Sequence, residues 1–192
     1  MNVVSRPPAM SRDQFLDWAA GQEAPYEFDG LQPVAMTGGN RNHSRICRNL
    51  VFELQTRLIG SVFEVLPEAG VATVGSAVRY PDVVITQTAG SGRDRLIAEP
   101  VVVFEVVSPT SGRVDRLIKL REYRAVPSIL RYVIVDNLGP DLATYTRAIG
   151  TTDWTADAFT ASETLALPEL GIAIPIDAVF RGAEFSASDG AA

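Results

Sequence analysis

No apolar run in this chain approaches the roughly 20 residues that a membrane-crossing helix needs. The opening segment, MNVVSRPPAMSRD, has no basic stretch followed by an apolar core, so no secretory leader and no membrane partner is expected. Cysteine occurs once, at Cys47, which excludes an internal disulfide framework and fits a reducing, cytoplasmic location. The chain also lacks a G-x-G-x-x-G, a P-loop and any zinc-type cysteine array, which removes several common enzyme classes. Histidine is present once, as His43, and lysine once, as Lys119.

What is present is ordinary for a folded protein. The 192 residues are 46% hydrophobic and 21% charged, a balance that builds a core and is unlike disordered chains. They fit one domain over 1–185, with 1–40 as an N-terminal helix and β-ribbon extension and 186–192 as a disordered tail. The net charge of −6 argues against a broad non-specific grip on nucleic acid. Two local clusters run the other way: Arg113, Arg116, Lys119, Arg121, Arg124 and Arg131, and earlier Arg41, Arg45 and Arg48. Either could face phosphates or simply solvate a helix. Sixteen of the seventeen basic residues are arginine, so the exception at Lys119 is a pointer. A lysine presents a compact ammonium where a guanidinium presents a wide planar fork.

Hydrophobic periodicity orders the chain into elements. Ser11 with Gln14 predicts a capping box for a helix over Arg12–Ala20, ended by Gly21. Tyr26–Phe28 and Gly30–Ala35 read as short strands joined through Asp29-Gly30. Ile46, Leu50, Leu54 and Leu58 recur every four residues and predict a helix over Asn42–Leu58. Strands are expected at Ser61–Leu66, Val71–Val74 and Asp82–Ile85, and a central one, covered on both faces, at Val101–Val107. Ser108–Gly112 reads as a turn, followed by a helix over Val114–Ala125 that stops before Pro127. Tyr132–Val135 and Asp141–Arg147 are further strands; signals beyond Trp154 are weaker.

The chemistry begins at Glu105, a carboxylate inside an apolar strand. Burying it unpaired is costly, so it should neutralise, pair or coordinate a cation. Asp82 poses the same problem at the entry of another apolar strand. If the two strands are neighbours, both carboxylates meet at the sheet's end, where oxygen donors suit Mg²⁺ or Mn²⁺. Asp115, Lys119 and Tyr123 are spaced four apart and share a helix face. Simpler roles stand beside these: Asp82 capping a turn after Pro81, Glu105 paired with a buried arginine, Lys119 in a helical ion pair with Asp115. His43 aligns with Cys47, Leu50 and Leu54 and should face inward, as a metal ligand or as a satisfied, partly buried histidine. Cys47 itself reads as core rather than nucleophile.

Taken in order, Tyr80-Pro81-Asp82, Phe104-Glu105-Val106-Val107-Ser108-Pro109-Thr110-Ser111, Asp115 with Lys119 and Tyr123, Val126-Pro127 and Tyr132–Asp136 resemble the Uma-type putative restriction endonucleases of the PD-(D/E)XK nuclease superfamily. Tyr26–Gly30 and Asn42-His43 resemble that family's N-terminal signatures, so the likeness covers about residues 9–180. It implies an α/β fold, a restriction-endonuclease-like mixed β-sheet flanked by helices. It also implies Mg²⁺-dependent hydrolysis of DNA phosphodiester bonds and homodimers. Asp82 and Glu105 match the family's metal-binding acids; Glu27 and His43 match further positions lining its cleft. The superfamily's usual lysine, two residues after the second acid, is absent, and Val107 stands there. Lys119 matches a family lysine on the following helix. A catalytically inactive relative that binds nucleic acid or a partner is the alternative.

Overall fold

The computed structural model describes residues 10–87, 90–107, 113–148 and 150–185. Its chain begins with helix α1 (Arg12–Ala19), strands β1 (Tyr26–Phe28) and β2 (Pro33–Ala35), and the long helix α2 (Arg41–Leu58). Strands β3 (Phe63–Pro67), β4 (Val71–Ala72), β5 (Val78–Arg79), β6 (Val83–Gln87) and β7 (Pro100–Val107) follow. Helix α3 (Arg113–Arg124) leads to β8 (Arg131–Asp136), β9 (Asp141–Arg147) and β10 (Trp154–Thr160). The chain then forms β11 (Thr164–Leu167), β12 (Ile172–Pro175) and a single-turn helix α4 (Ile176–Val179).

Local chemistry explains most boundaries. Both hydrogen bonds of the Ser11/Gln14 capping box are formed at α1. Asn40 caps α2 by accepting from the His43 backbone N–H, so the helix starts just before the expected Asn42. Between β1 and β2, Asp29 Oδ1 accepts from the N–H groups of Leu31 and Gln32, making a longer turn than a two-residue hairpin. The strand expected over Val71–Val74 is cut short by a 3-10 turn at Val74–Ser76, where Gly75 and Ser76 take φ of 63° and 75°. That turn delivers β5, which the sequence pattern does not separate from its neighbours. The turn expected at Ser108–Gly112 and the tail from Ser186 lie outside the described residues.

The main sheet has six strands in the order β10-β9-β8-β7-β6-β3. Pairing is antiparallel except between β7 and β8, which α3 connects as a crossover. The sheet is therefore mixed and flanked by helices, as the sequence predicts. One face packs on α2, α4 and β11–β12, burying Ile46, Leu50, Leu54, Val102, Phe104 and Val106. The opposite face carries Val84, Val103, Tyr123, Ile129 and Tyr132. Strand alternation puts Glu105 on the same face as Val103, toward α3. A second sheet, β2-β1-β5-β4, closes over that side with α1 packed on it through Phe15, Phe28 and Val78.

Candidate active site

The pairing Val83↔Phe104 of β6 with β7, continued by one residue, sets Asp82 opposite Glu105 at one end of the central strands. Asp82 Oδ2 accepts from the Val106 N–H at 2.6 Å, and Oδ1 lies 3.0 Å from His43 Nε2. Asp82 thus bridges β7 and α2 rather than capping a local turn. Glu105 is only 6% exposed. Its Oε1 accepts from the Tyr123 hydroxyl at 2.8 Å, and the Lys119 ammonium donates to its two oxygens at 3.2 and 3.4 Å. The partner of Glu105 is therefore the lysine and not an arginine.

Lys119 also pairs with Glu27 Oε1 at 3.0 Å, so β1 contributes a carboxylate to the same spot. Glu27 in turn accepts from Arg79 Nη1 at 3.0 Å. Arg79, 3% exposed, grips Glu122 with two further bonds of 2.7 and 2.8 Å, and the Thr73 hydroxyl donates to Glu122 as well. The chain of charges Glu122–Arg79–Glu27–Lys119–Glu105 ties the small sheet to the main one. Asp115 shares the helix but is exposed, and Lys119 turns away from it to these buried acids.

Burial drives the electrostatics. It pushes the Glu105 carboxyl up to about 7; Lys119 and the Tyr123 hydrogen bond pull it down, while Asp82 and Glu27 push it further up. Burial alone would lower the Lys119 ammonium, but Glu105 and Glu27 outweigh it and hold its pKa above the usual lysine value. The hydrogen bond to Asp82 raises His43 above its ordinary value against the opposing effect of burial, with Asp82, Glu105 and Glu68 adding negative potential. Asp82 and Glu105 offer oxygen donors of the type hard divalent cations take.

The α2 wall is built differently. Gly39 packs so closely on His43 that a Cβ there would sit 2.4 Å from the imidazole Cγ and Nδ1. Cys47 Sγ lies 3.6 Å from His43 Nδ1. Donor atoms of His43, Cys47 and Asp82 fall within 4.8 Å of one another, a cluster that could hold a metal ion. A cavity of about 400 Å³ opens nearby, lined by Leu16, Tyr26, Met36, Glu68, Tyr80 and Arg95.

All five sequence-predicted residues, Asp82, Glu105, Lys119, Glu27 and His43, thus come together in one connected cluster. Sequence reasoning missed Arg79 and Glu122; Cys47 packs against the core as read, and its sulfur also faces the histidine. A charge inside the short Val78-Arg79 strand, opposite in sign to Glu27 in Tyr-Glu-Phe, is the signal that could have found the first pair. The basic clusters are less uniform than their spacing implies. Arg131 is buried against Glu169 at 2.6 Å and faces no solvent, and Arg45 pairs with Glu184 at 2.9 Å. Arg41, Arg121 and Arg124 remain exposed.

Sheet order, crossover and the placement of acids at the strand ends define a restriction-endonuclease-like α/β protein. The chain matches the family described as "Uma2: Putative restriction endonuclease" over residues 12–177, and it belongs to that family. It is 29% identical over 184 residues to the uncharacterised protein slr1290 of Synechocystis sp., covering 93% of this chain and 95% of that one. Its fold is similar to a crystal structure titled a putative nuclease belonging to DUF820 from Anabaena variabilis, with a TM-score of 0.73. That match has 14% identity and covers 90% of this chain and 98% of the other, so the likeness is one of fold. Among the described residues, no helix is long and apolar enough to cross a membrane.

Proposed function

We propose that this protein is a metal-dependent endonuclease that hydrolyses DNA phosphodiester bonds. The observation that carries the reading is Lys119: a helix-borne lysine 3.2 Å from the buried Glu105, supplying the cation that Val107 does not. Asp82 and Glu105 would hold Mg²⁺ or Mn²⁺. Such an ion, when bound, supplies Lewis-acid polarisation of a phosphoryl oxygen and lowers the pKa of a bound water.

The chain's own groups divide the remaining work. Lys119 places an ammonium where negative charge grows on the phosphorus oxygens, and its charge is kept by Glu27 and Glu105. The Val106 N–H and His43 fix the two oxygens of Asp82, so the carboxylate is oriented before substrate arrives. Tyr123 fixes one oxygen of Glu105 in the same way. His43, held close to Asp82, can also accept or donate a proton at its Nε2. Exposed Arg41, Arg121 and Arg124 offer contacts for the DNA backbone. A homodimer would bring two such sites to the two strands of a duplex.

A second reading, a binding-only relative that does not cut, has one observation in its favour: Lys119 is already paired with two carboxylates. Incubation of the purified chain with supercoiled plasmid, in Mn²⁺ or in chelator, separates the two. Cutting that needs the metal and is lost in Asp82→Ala supports the endonuclease. Plasmid binding without metal-dependent cutting supports the binding-only relative, and cutting unchanged in Asp82→Ala removes the proposed site.

A further inference from the structure

Cys47 and His43 are the sole cysteine and the sole histidine of the chain, and α2 sets them one turn apart. The sulfur lies 3.6 Å from His43 Nδ1 and 3.9 Å from Nε2, while Asp82 Oδ1 lies 3.0 Å from Nε2. We infer that His43, Cys47 and Asp82 form a binding site for a thiophilic transition metal such as Zn²⁺, overlapping the acidic site through Asp82.

The donor atoms of the three side chains lie within 4.8 Å of one another. Tetrahedral zinc with bonds of about 2.3 Å to sulfur and about 2.0–2.1 Å to nitrogen or oxygen places sulfur about 3.6 Å from nitrogen, and nitrogen about 3.3 Å from oxygen. An imidazole gives one nitrogen to an ion; for Nε2, which faces Asp82, the separations are 3.9 Å to sulfur and 3.0 Å to Oδ1. Because sulfur lies nearer Nδ1, the Cys47 side chain must rotate toward Nε2 to complete the site. Three protein donors leave the fourth position open to water or a phosphate oxygen, the pattern of catalytic rather than structural zinc. The imidazole cannot swing away freely, because Gly39 packs against it.

The donor set also selects the ion. Sulfur and imidazole suit zinc or cobalt, whereas magnesium demands oxygen ligands in octahedral array. An ion that takes the Cys47 sulfur as thiolate must displace the thiol proton to solvent. A hard cation gains too little from sulfur to do so. Asp82 turns Oδ1 toward His43 and Oδ2 toward β7, so an ion at either site draws on the same carboxylate. This inference stands on the geometry of three side chains and holds whether or not the chain cuts nucleic acid.

Cobalt(II) is the probe. Titrated into the metal-free, full-length chain under reducing conditions, it should produce a thiolate-to-cobalt charge-transfer band in the near ultraviolet with strong tetrahedral d–d absorption. With one cysteine in the chain, that band has a single source. It should vanish in Cys47→Ser, and in Cys47→Ala should the serine variant misfold. Apparent cobalt affinity should fall about tenfold or more in His43→Ala and Asp82→Ala. Zinc should bleach the spectrum at one equivalent, and excess Mg²⁺ should not. A folded wild-type chain without the charge-transfer band overturns the inference, as does a band of unchanged affinity in both His43→Ala and Asp82→Ala. No nucleic acid enters this measurement, so its failure beside intact metal-dependent cutting removes the thiophilic site and leaves the endonuclease standing.

Discussion

The two helices that flank the carboxylates hold them by opposite means. On the α3 wall, Glu105 sits in a dense ionic network in which Lys119, Glu27, Arg79 and Glu122 compensate one another with little access to water. On the α2 wall, Asp82 meets one imidazole and one thiol, and among the described residues no lysine or arginine pairs with it. Fixed ion pairs dominate the α3 wall, while the α2 wall gathers Asp82 with side chains that could hold a metal ion.

The largest effect expected from this contrast is on stability. Arg79→Met leaves Glu27 and Glu122 buried without their shared cation, and urea denaturation should show a loss of about 3–5 kcal/mol. Cys47→Ser on the other wall should cost about 1 kcal/mol or less, since its sulfur is half-buried and joins no ion pair. Equal losses from the two variants would erase the comparison.

Next comes activity. Lys119→Ala should reduce Mn²⁺-dependent cutting about 10²- to 10³-fold, the range for removing one electrostatic stabiliser of the transition state. Lys119→Arg should not restore it, because the planar guanidinium cannot occupy the compact space between Glu27 and Glu105. Initial rates of plasmid nicking measure both.

A smaller effect concerns pH. Between the ordinary 4.5 of a glutamate and about 7 in the fold, Glu105 binds a proton when folded and not when unfolded. Metal-free stability should therefore decline as pH rises through that window. His43, raised above 6.5, acts in the same direction: its contribution is complete below 6.5 and is lost as pH rises through its folded value. Thermal melts of the metal-free chain should show the decline, and Glu105→Gln should flatten it. A more local change is Gly39→Ala, whose added methyl meets the imidazole and should displace it at a cost of about 1–3 kcal/mol. The shift of the single histidine resonance reports that displacement.

Much of the site is legible in the sequence because its acids interrupt apolar strands. Glu105 and Asp82 have no inexpensive way to be buried, so the sequence pattern alone calls for a partner at each. Lys119 stands out as the one lysine among arginines. The α2 stripe and the β7–α3–β8 crossover are equally plain, since each depends on local periodicity. Arg79 and Glu122 are harder to read: their bond joins residues 43 apart in sequence, across a short strand that a 3-10 turn delivers. The Cys47–His43 contact is local, but helical spacing reads equally as core, and only the close approach of Gly39 and Asp82 distinguishes it. Arg131 shows the converse error, a basic residue counted with a surface cluster whose side chain is buried against Glu169.

In the proposed function, Lys119 performs from the helix the task of a lysine two residues after Glu105. Val107 lies on the same strand face as Glu105, half-buried at the strand's end, so a lysine there can reach the same space. The most direct measurement is the Mn²⁺-dependent cutting rate of Lys119→Ala with and without Val107→Lys. A severe loss is expected in the single variant and partial recovery in the double. Lys119→Ala cutting at the wild-type rate would contradict it.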